Sequence, residues 1–311
     1  MMNTQRRLVS AVLLAVLLGA GNGCGGNYSN EDIEFQLALP DRDDLLVRLP
    51  GQALVVGDAA EYYVATRDVV TRVNAIVLAI TGLVDRVRAF PPSERQGPLR
   101  VWGPFPHEKD PAFQVRMTMV RVPEAEALRF DYRFEFKRVA DAAPEWQPLI
   151  AGSFLPGGGA RLNKIVVDLK AARLQNYPIA DFGELEEMQI EFQRRVAPYR
   201  AIMVVRNIAA AATPGATYAY AENADGSGDM RFAWQVRVNI WVAAIELFTR
   251  WLPSGAGRAD ARILEGLAAI AGSRGVDCWG PDARATYVRR DWGEAREVGD
   301  PASCVLPAPA P

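Results

Sequence analysis

The stretch "DAAEYYVATRDVVTRVNAIVLAITGLVDRVRA", residues 58–89, decides the fold. Apolar residues fall at Tyr62, Val69, Val73, Ile76, Ile80, Leu83 and Val87, with Thr66 as the one polar member. The steps alternate four and three, which is the stripe of an amphipathic helix. Val70, Val77 and Val84 widen that stripe, and Arg67, Asp68, Arg72, Asp85, Arg86 and Arg88 occupy the other side. Asp58 with Glu61 three residues on has the form of a capping box. "FPP" at 90–92 ends the helix, because proline cannot continue the ladder. A helix of about 30 residues is long for a globular domain and needs a broad apolar surface to cover. A coiled coil is the competing reading, and the β-rich sequence that follows argues against it.

Downstream the period changes to two. Phe113, Val115, Met117 and Met119 alternate with polar residues, and so do Phe130, Tyr132, Phe134 and Phe136. Met188, Ile190 and Phe192 repeat the pattern, as does the run Met230, Phe232, Trp234, Val236, Val238 and Ile240. Strands with one wet and one dry face belong to antiparallel sheets. Upstream, the alternation of Ile33, Phe35, Leu37 and Leu39 predicts another strand, with a second over Leu45 to Leu49. "DLKAARLQNYP" reads as a single short helix, so no βαβ rhythm is present. The expected fold is α+β: an antiparallel, strongly bent sheet, an open or incomplete barrel, packed on one long N-terminal helix. The expected divisions are a signal peptide over 1–23, a lipidated tether with edge strands over 24–50, one α+β domain over 51–305 and a disordered tail over 306–311.

The signal peptide is read from "RRLVSAVLLAVLLGAGNGCGG", residues 6–26. Arg6 and Arg7 form a basic start, and the apolar run from Leu8 to Leu18 is shorter than the roughly 20 residues that a membrane-spanning helix needs. Small residues lead to Cys24, where bacterial lipoproteins place their acylated cysteine; an ordinary cleaved signal is the alternative. In well-studied lipoproteins an aspartate after that cysteine favours the inner membrane. Gly25 stands there, so the resemblance implies an outer-membrane lipoprotein. Cys278 and Cys304 remain, and in an oxidising compartment they are expected to pair as a disulfide. Their spacing matches no zinc pattern.

The formal net charge is −2, and removal of Arg6 and Arg7 makes it −4. Only four basic residues are lysines, at 109, 137, 164 and 170. The arginines lie scattered between apolar positions, as on the wet side of strands, with no clustered nucleic-acid footprint. His107 is the one histidine, in the proline-rich loop "WGPFPHEKDP", so a His-based triad or multi-histidine metal site has at most one member. "NADGSGD", residues 223–229, has the offsets of a calcium loop's opening, but Trp234 stands where the bidentate glutamate belongs, and a hairpin turn accounts for it. "LPGGGAR" fits no phosphate loop, and "DFG" at 181–183 lacks the other kinase signatures. Glu184, Glu186 and Glu187 read as a solvated charge run beside a strand. No catalytic residue, metal ligand or cofactor is therefore assigned. The aromatic and methionine bulk of the dry face suggests a cavity for an acyl chain, with Val73, Ile80, Phe130, Phe134, Met230, Phe232 and Trp234 as lining candidates. A core filled against the helix is the plainer account of the same residues.

"VDCWGPDARATYVRRDW" followed by "GDPASC", from Val276 to Cys304, resembles a segment of bacterial envelope lipoproteins with no assigned activity. Cys278, Trp279, Tyr287 and Cys304 carry the likeness, with "GDAAEYY" and "VWGPF" upstream. In architecture alone, a long helix on a bent antiparallel sheet is similar to the unclosed barrels of periplasmic lipoprotein carriers. The expected function is non-catalytic: an envelope lipoprotein, anchored to the membrane by its lipid, that binds an apolar ligand or an envelope protein partner and no nucleic acid. A purely structural lipoprotein with a filled core is one alternative, and a hydrolase using unassigned carboxylates is another.

Overall fold

The computed structural model describes residues 28–39, 42–50, 59–124, 128–140, 145–155, 163–179, 185–193, 197–207, 216–238, 241–265, 271–292 and 296–309, with backbone alone at 43–44, 86–88, 205–207, 234–238 and 241–242. The signal segment, Cys24, Asp58, "DFG" and most of "LPGGGAR" lie outside the described residues.

Residues 33–39, expected as a strand, belong instead to helix α1 (Asn30–Leu37) and the residues that end it. Ser29 caps α1: its hydroxyl accepts from the Asp32 N–H, and the Asp32 carboxylate accepts from the Ser29 N–H. That reciprocal pair fixes the first turn. The alternation of Ile33, Phe35 and Leu37 is not a dry face, since Ile33 is 45% and Leu37 73% exposed; Phe35, Ala38 and Leu39 are the buried set, at helical spacing. Leu45–Leu49 forms no strand either. It follows the one-turn helix α2 (Arg42–Leu45), and the Asn74 side chain bonds both the N–H and the C=O of Val47, at 2.9 and 3.0 Å, in place of a neighbouring strand. The 24–50 segment therefore supplies helices where edge strands were expected.

Helix α3 (Glu61–Arg88) is the long one, and among the described residues two shorter helices precede it. Tyr62, Thr66, Val73 and Ile80 of the expected stripe are buried, as are Val70, Val77 and Val84 that widen it, with Tyr63 beside them; Val69, Ile76 and Leu83 flank this face half-buried.

The sheet has fifteen strands, each antiparallel to its sequence neighbours. They are β1 (Glu94–Gln96), β2 (Leu99–Pro106), β3 (Phe113–Pro123), β4 (Leu128–Arg138), β5 (Gln147–Phe154), β6 (Asn163–Asp168), β7 (Leu185–Gln193) and β8 (Tyr199–Asn207). Then come β9 (Ala216–Glu222), β10 (Gly228–Val238), β11 (Trp241–Trp251), β12 (Gly257–Glu265), β13 (Arg274–Trp279), β14 (Ala285–Arg290) and β15 (Arg296–Gly299). Helix α4 (Lys170–Leu174) connects β6 and β7. The strands run in order from β1 to β15, which are the two edges, and the sheet is not closed.

One face is continuously apolar. Along a single register row stand Tyr132, Gly152, Ile165, Ile190, Met203, Tyr218, Phe232, Leu247 and Ala261. The residues change size across the sheet: on β11–β13 the core-facing positions include Thr249, Ala259, Ala261 and Gly275. There α3 comes close. A Cβ at Gly275 would collide with the Tyr62 hydroxyl. Thr66 and Thr249 share a hydrogen bond of 2.7 Å. Cys278 and Cys304 are bonded, with their Cα atoms 5.3 Å apart, and tie the chain after β15 back to β13.

Candidate functional site

A cavity of about 360 Å³ lies between the C-terminal half of α3 and the β5 side of the core, partly open to solvent. Leu78, Ala79, Gly82 and Leu83 of α3 form one wall. These positions, one turn apart, share a helix face. No atom stands within 4 Å of the place a Gly82 Cβ would take, so the helix leaves open space there.

Leu149 and Ile150 of β5 form the opposite wall. Consecutive strand residues ordinarily point to opposite faces. Here Phe134 pairs with Ile150 and Glu135 with Pro148, so Leu149 is an extra, bulged residue. Both Leu149 and Ile150 are buried as a result. Pro148 has no N–H to give the ladder, which suits it to a bulge.

The third wall is Leu169 and Tyr177–Ile179, on either side of α4. Asn176 ends that helix with φ 54°. The N–H of Asn176 donates to Arg173 and that of Tyr177 to Ala172, the paired bonds that reverse a chain at a helix end. Tyr177 is thereby folded back onto Phe136, Phe113 and His107, at ring distances of 4.5, 5.3 and 4.9 Å.

His107, Glu108 and Lys109 make the mouth. His107 Nδ1 accepts from the backbone N–H groups of Lys109 and Asp110, both at 3.2 Å. A nitrogen that accepts two donors carries no proton, so the ring is the tautomer protonated at Nε2. The floor is thus apolar and the rim polar, the usual composition of a small-molecule pocket.

Among the described side chains, none of the six expected lining residues other than Trp234 borders this cavity. Val73, Ile80, Phe130, Phe134, Met230 and Phe232 are buried in the main core, with Phe130 edge-on to Phe35 at 5.0 Å. Trp234 lies in β10 opposite Ile245, and its side chain is outside the described residues. The cavity is nonetheless adjacent, since Ile150 pairs with Phe134 and Ala79 precedes Ile80.

At the other end of α3 lies a charged cluster. Asp277, fully buried, accepts from the Tyr62 N–H at 2.8 Å and from Arg290 Nη1 at 2.6 Å. The Arg290 guanidinium lies 3.9 Å from the Tyr62 ring centre, and its Nη2 reaches Glu61 at 3.2 Å. Asp277 thus caps α3 from 215 residues away and favours the positive end of its dipole. Burial pushes the Tyr62 hydroxyl's pKa above its ordinary value. A second buried carboxylate, Asp32, takes Arg100 at 2.7 Å and Arg95 at 3.0 Å. Burial alone would raise its pKa, but the Ser29 N–H and these two arginines outweigh that and hold it at about 2.

Asp225 Oδ1 accepts from the Ser227 N–H and hydroxyl, so "NADGSGD" is the tight turn between β9 and β10. Glu187 pairs with Lys170 at 3.3 Å. Among the described residues no group of three or more His, Cys, Asp or Glu side chains is placed to hold a metal ion, and no helix is long and apolar enough to cross a membrane. No family model, curated protein or solved structure matches the chain.

Proposed function

We propose that this protein is a non-catalytic envelope lipoprotein, acylated at Cys24 and held at the outer membrane, that stores or presents an apolar ligand in the cavity beside α3. The cavity carries the reading. Its volume equals about twelve waters at roughly 30 Å³ each, room for much of one acyl chain. An open trough, the sheet bent around its helix, accounts for the position of this void. Tyr62 meets β13 while Leu83 faces β5, and eight inter-strand steps of about 4.8 Å exceed the roughly 30 Å that the helix rises between those residues. A sheet curved toward the helix reconciles the two lengths.

Native mass spectrometry of protein purified from the envelope tests both parts at once. The expected spectrum shows acyl mass on Cys24 and a released lipid-sized species. Gly82→Phe, which places a ring in the open space, is expected to abolish uptake of a fluorescent fatty acid while circular dichroism stays unchanged. Wild-type protein that carries no ligand and takes up no fatty acid would leave the purely structural role.

A further inference from the structure

The sheet face turned away from α3 differs in charge between its two halves. On β3–β7 the register places five cations on that face: Arg116, Arg129, Arg133, Lys137 and Lys164. Five carboxylates match them: Asp131, Glu135, Asp168, Glu187 and Glu191. On β8–β13 the described side chains give six arginines, at 200, 231, 250, 258, 262 and 274. Four carboxylates oppose them: Asp229, Glu246, Asp260 and Glu265.

Each of two carboxylates is therefore shared. Glu246 holds Arg231 at 3.4 Å and Arg262 at 3.7 Å, and Asp260 holds Arg250 at 3.4 Å and Arg258 at 2.7 Å. Arg258 spends three hydrogen bonds on Asp260 and Arg250 one on the Pro307 carbonyl, whereas a guanidinium's five donors leave Arg231 and Arg262 with several unspent on their shared Glu246. Arg200, Arg231, Arg262 and Arg274 are exposed, and so are Ile202 and Val204 among them. Five inter-strand steps make this face about 24 Å wide.

The geometry points to an anionic membrane surface as the partner of the β8–β13 outer face. An excess of two positive charges, in a chain whose net charge is −2, matches the sign of phosphatidylglycerol-type headgroups. Arginine donates to phosphate oxygens in pairs, and interleaved aliphatic side chains suit the boundary below the headgroups. The proposal takes from the function above only that the protein is held at a membrane, and it does not involve the cavity.

The test measures binding of the full, acylated chain to vesicles of phosphatidylcholine alone and with one-third phosphatidylglycerol. The lipid anchor contributes equally to both, so the difference isolates the face. Wild-type protein is expected to prefer the anionic vesicles, and the preference should vanish as salt shortens the screening length from about 10 Å at 0.1 M to about 3 Å at 1 M. The triple variant Arg200→Gln, Arg262→Gln, Arg274→Gln should lose roughly five-fold per arginine, about 100-fold in all. Arg116→Gln, Arg133→Gln, Lys137→Gln on the balanced half should keep the preference. Equal binding of wild type to both vesicles, or equal loss in the two triple variants, overturns the proposal. So does a DNA duplex that strips the protein from the vesicles at a lower phosphate concentration than the lipid's own. Loss of fatty-acid uptake through Gly82→Phe leaves this preference intact, so the two readings fail separately.

Discussion

The two ends of α3 rest on the same sheet and behave in opposite ways. At Tyr62 to Thr66 the helix lies on Thr249, Ala259, Ala261 and Gly275, and small residues let backbone approach backbone. The Tyr62 N–H donating to Asp277, Arg290 donating to Glu61 and the Thr66–Thr249 hydrogen bond then fix the distance. At Leu78 to Leu83 the opposing residues are leucine, isoleucine and tyrosine, and Gly82 withdraws from them. Large side chains hold the surfaces apart, and the glycine leaves the space between them unfilled. An amphipathic stripe therefore says that a helix is covered; the sizes opposite it decide whether the cover is tight. The first end sets stability, and the second offers room.

Removing the clamp should have the largest effect. Asp277→Ala leaves Arg290 buried without its main counter-charge, and the expected loss is about 3–5 kcal/mol in urea unfolding. A loss below about 1 kcal/mol would mean that α3 is held by its apolar row alone. Next comes the staple beside the clamp. Cys278→Ser with Cys304→Ser opens a loop of 26 residues and is expected to cost about 2–4 kcal/mol, read as the difference between oxidised and reduced wild type and absent in the double variant. The smallest effect has the opposite sign. Gly82→Ala should stabilise α3 by about 0.5–1 kcal/mol, since alanine restricts the unfolded helix position and nothing crowds its methyl group. The same variant should weaken fatty-acid uptake. A destabilised Gly82→Ala would show that the open end is as close-packed as the clamped one.

Much of this architecture is legible in the chain because it depends on local period. The 3.6 repeat of α3 and the alternation in β3, β4, β7 and β10 each reflect one face buried and one wet. The failure at α1 has a definite cause. Four alternating apolar residues look the same in a strand and in a short helix and its end that bury only Phe35 and Leu39, and Ser29 with Asp32 decided between the two. Asp32 fills the position where glutamate or glutamine is the usual cue. The cavity was out of reach for another reason. It depends on a bulge at Leu149, visible only in the register between β4 and β5, and on the reversal at Asn176. Val73, Ile80, Phe130 and Phe134 lie in the main core, on the same helix and sheet that border the void. The arginine face likewise exists only in register, since its members are scattered over 75 positions of sequence, from 200 to 274.

The strict neighbour-to-neighbour order of the sheet has a consequence for the order of assembly. Every rung joins segments that are synthesised one after the other, so hairpins can close as the chain emerges. Helix α3 is made before all of them, yet its N-terminal bond reaches Asp277, 215 residues later. The C-terminal half of its apolar row can meet β5 early, whereas the Tyr62 end has no partner until thirteen strands have appeared. Cys278 is the next residue after Asp277, and its bond to Cys304 becomes available only once β14 and β15 have followed. Oxidation of that pair thus becomes possible only after the strand that clamps the long helix has been made.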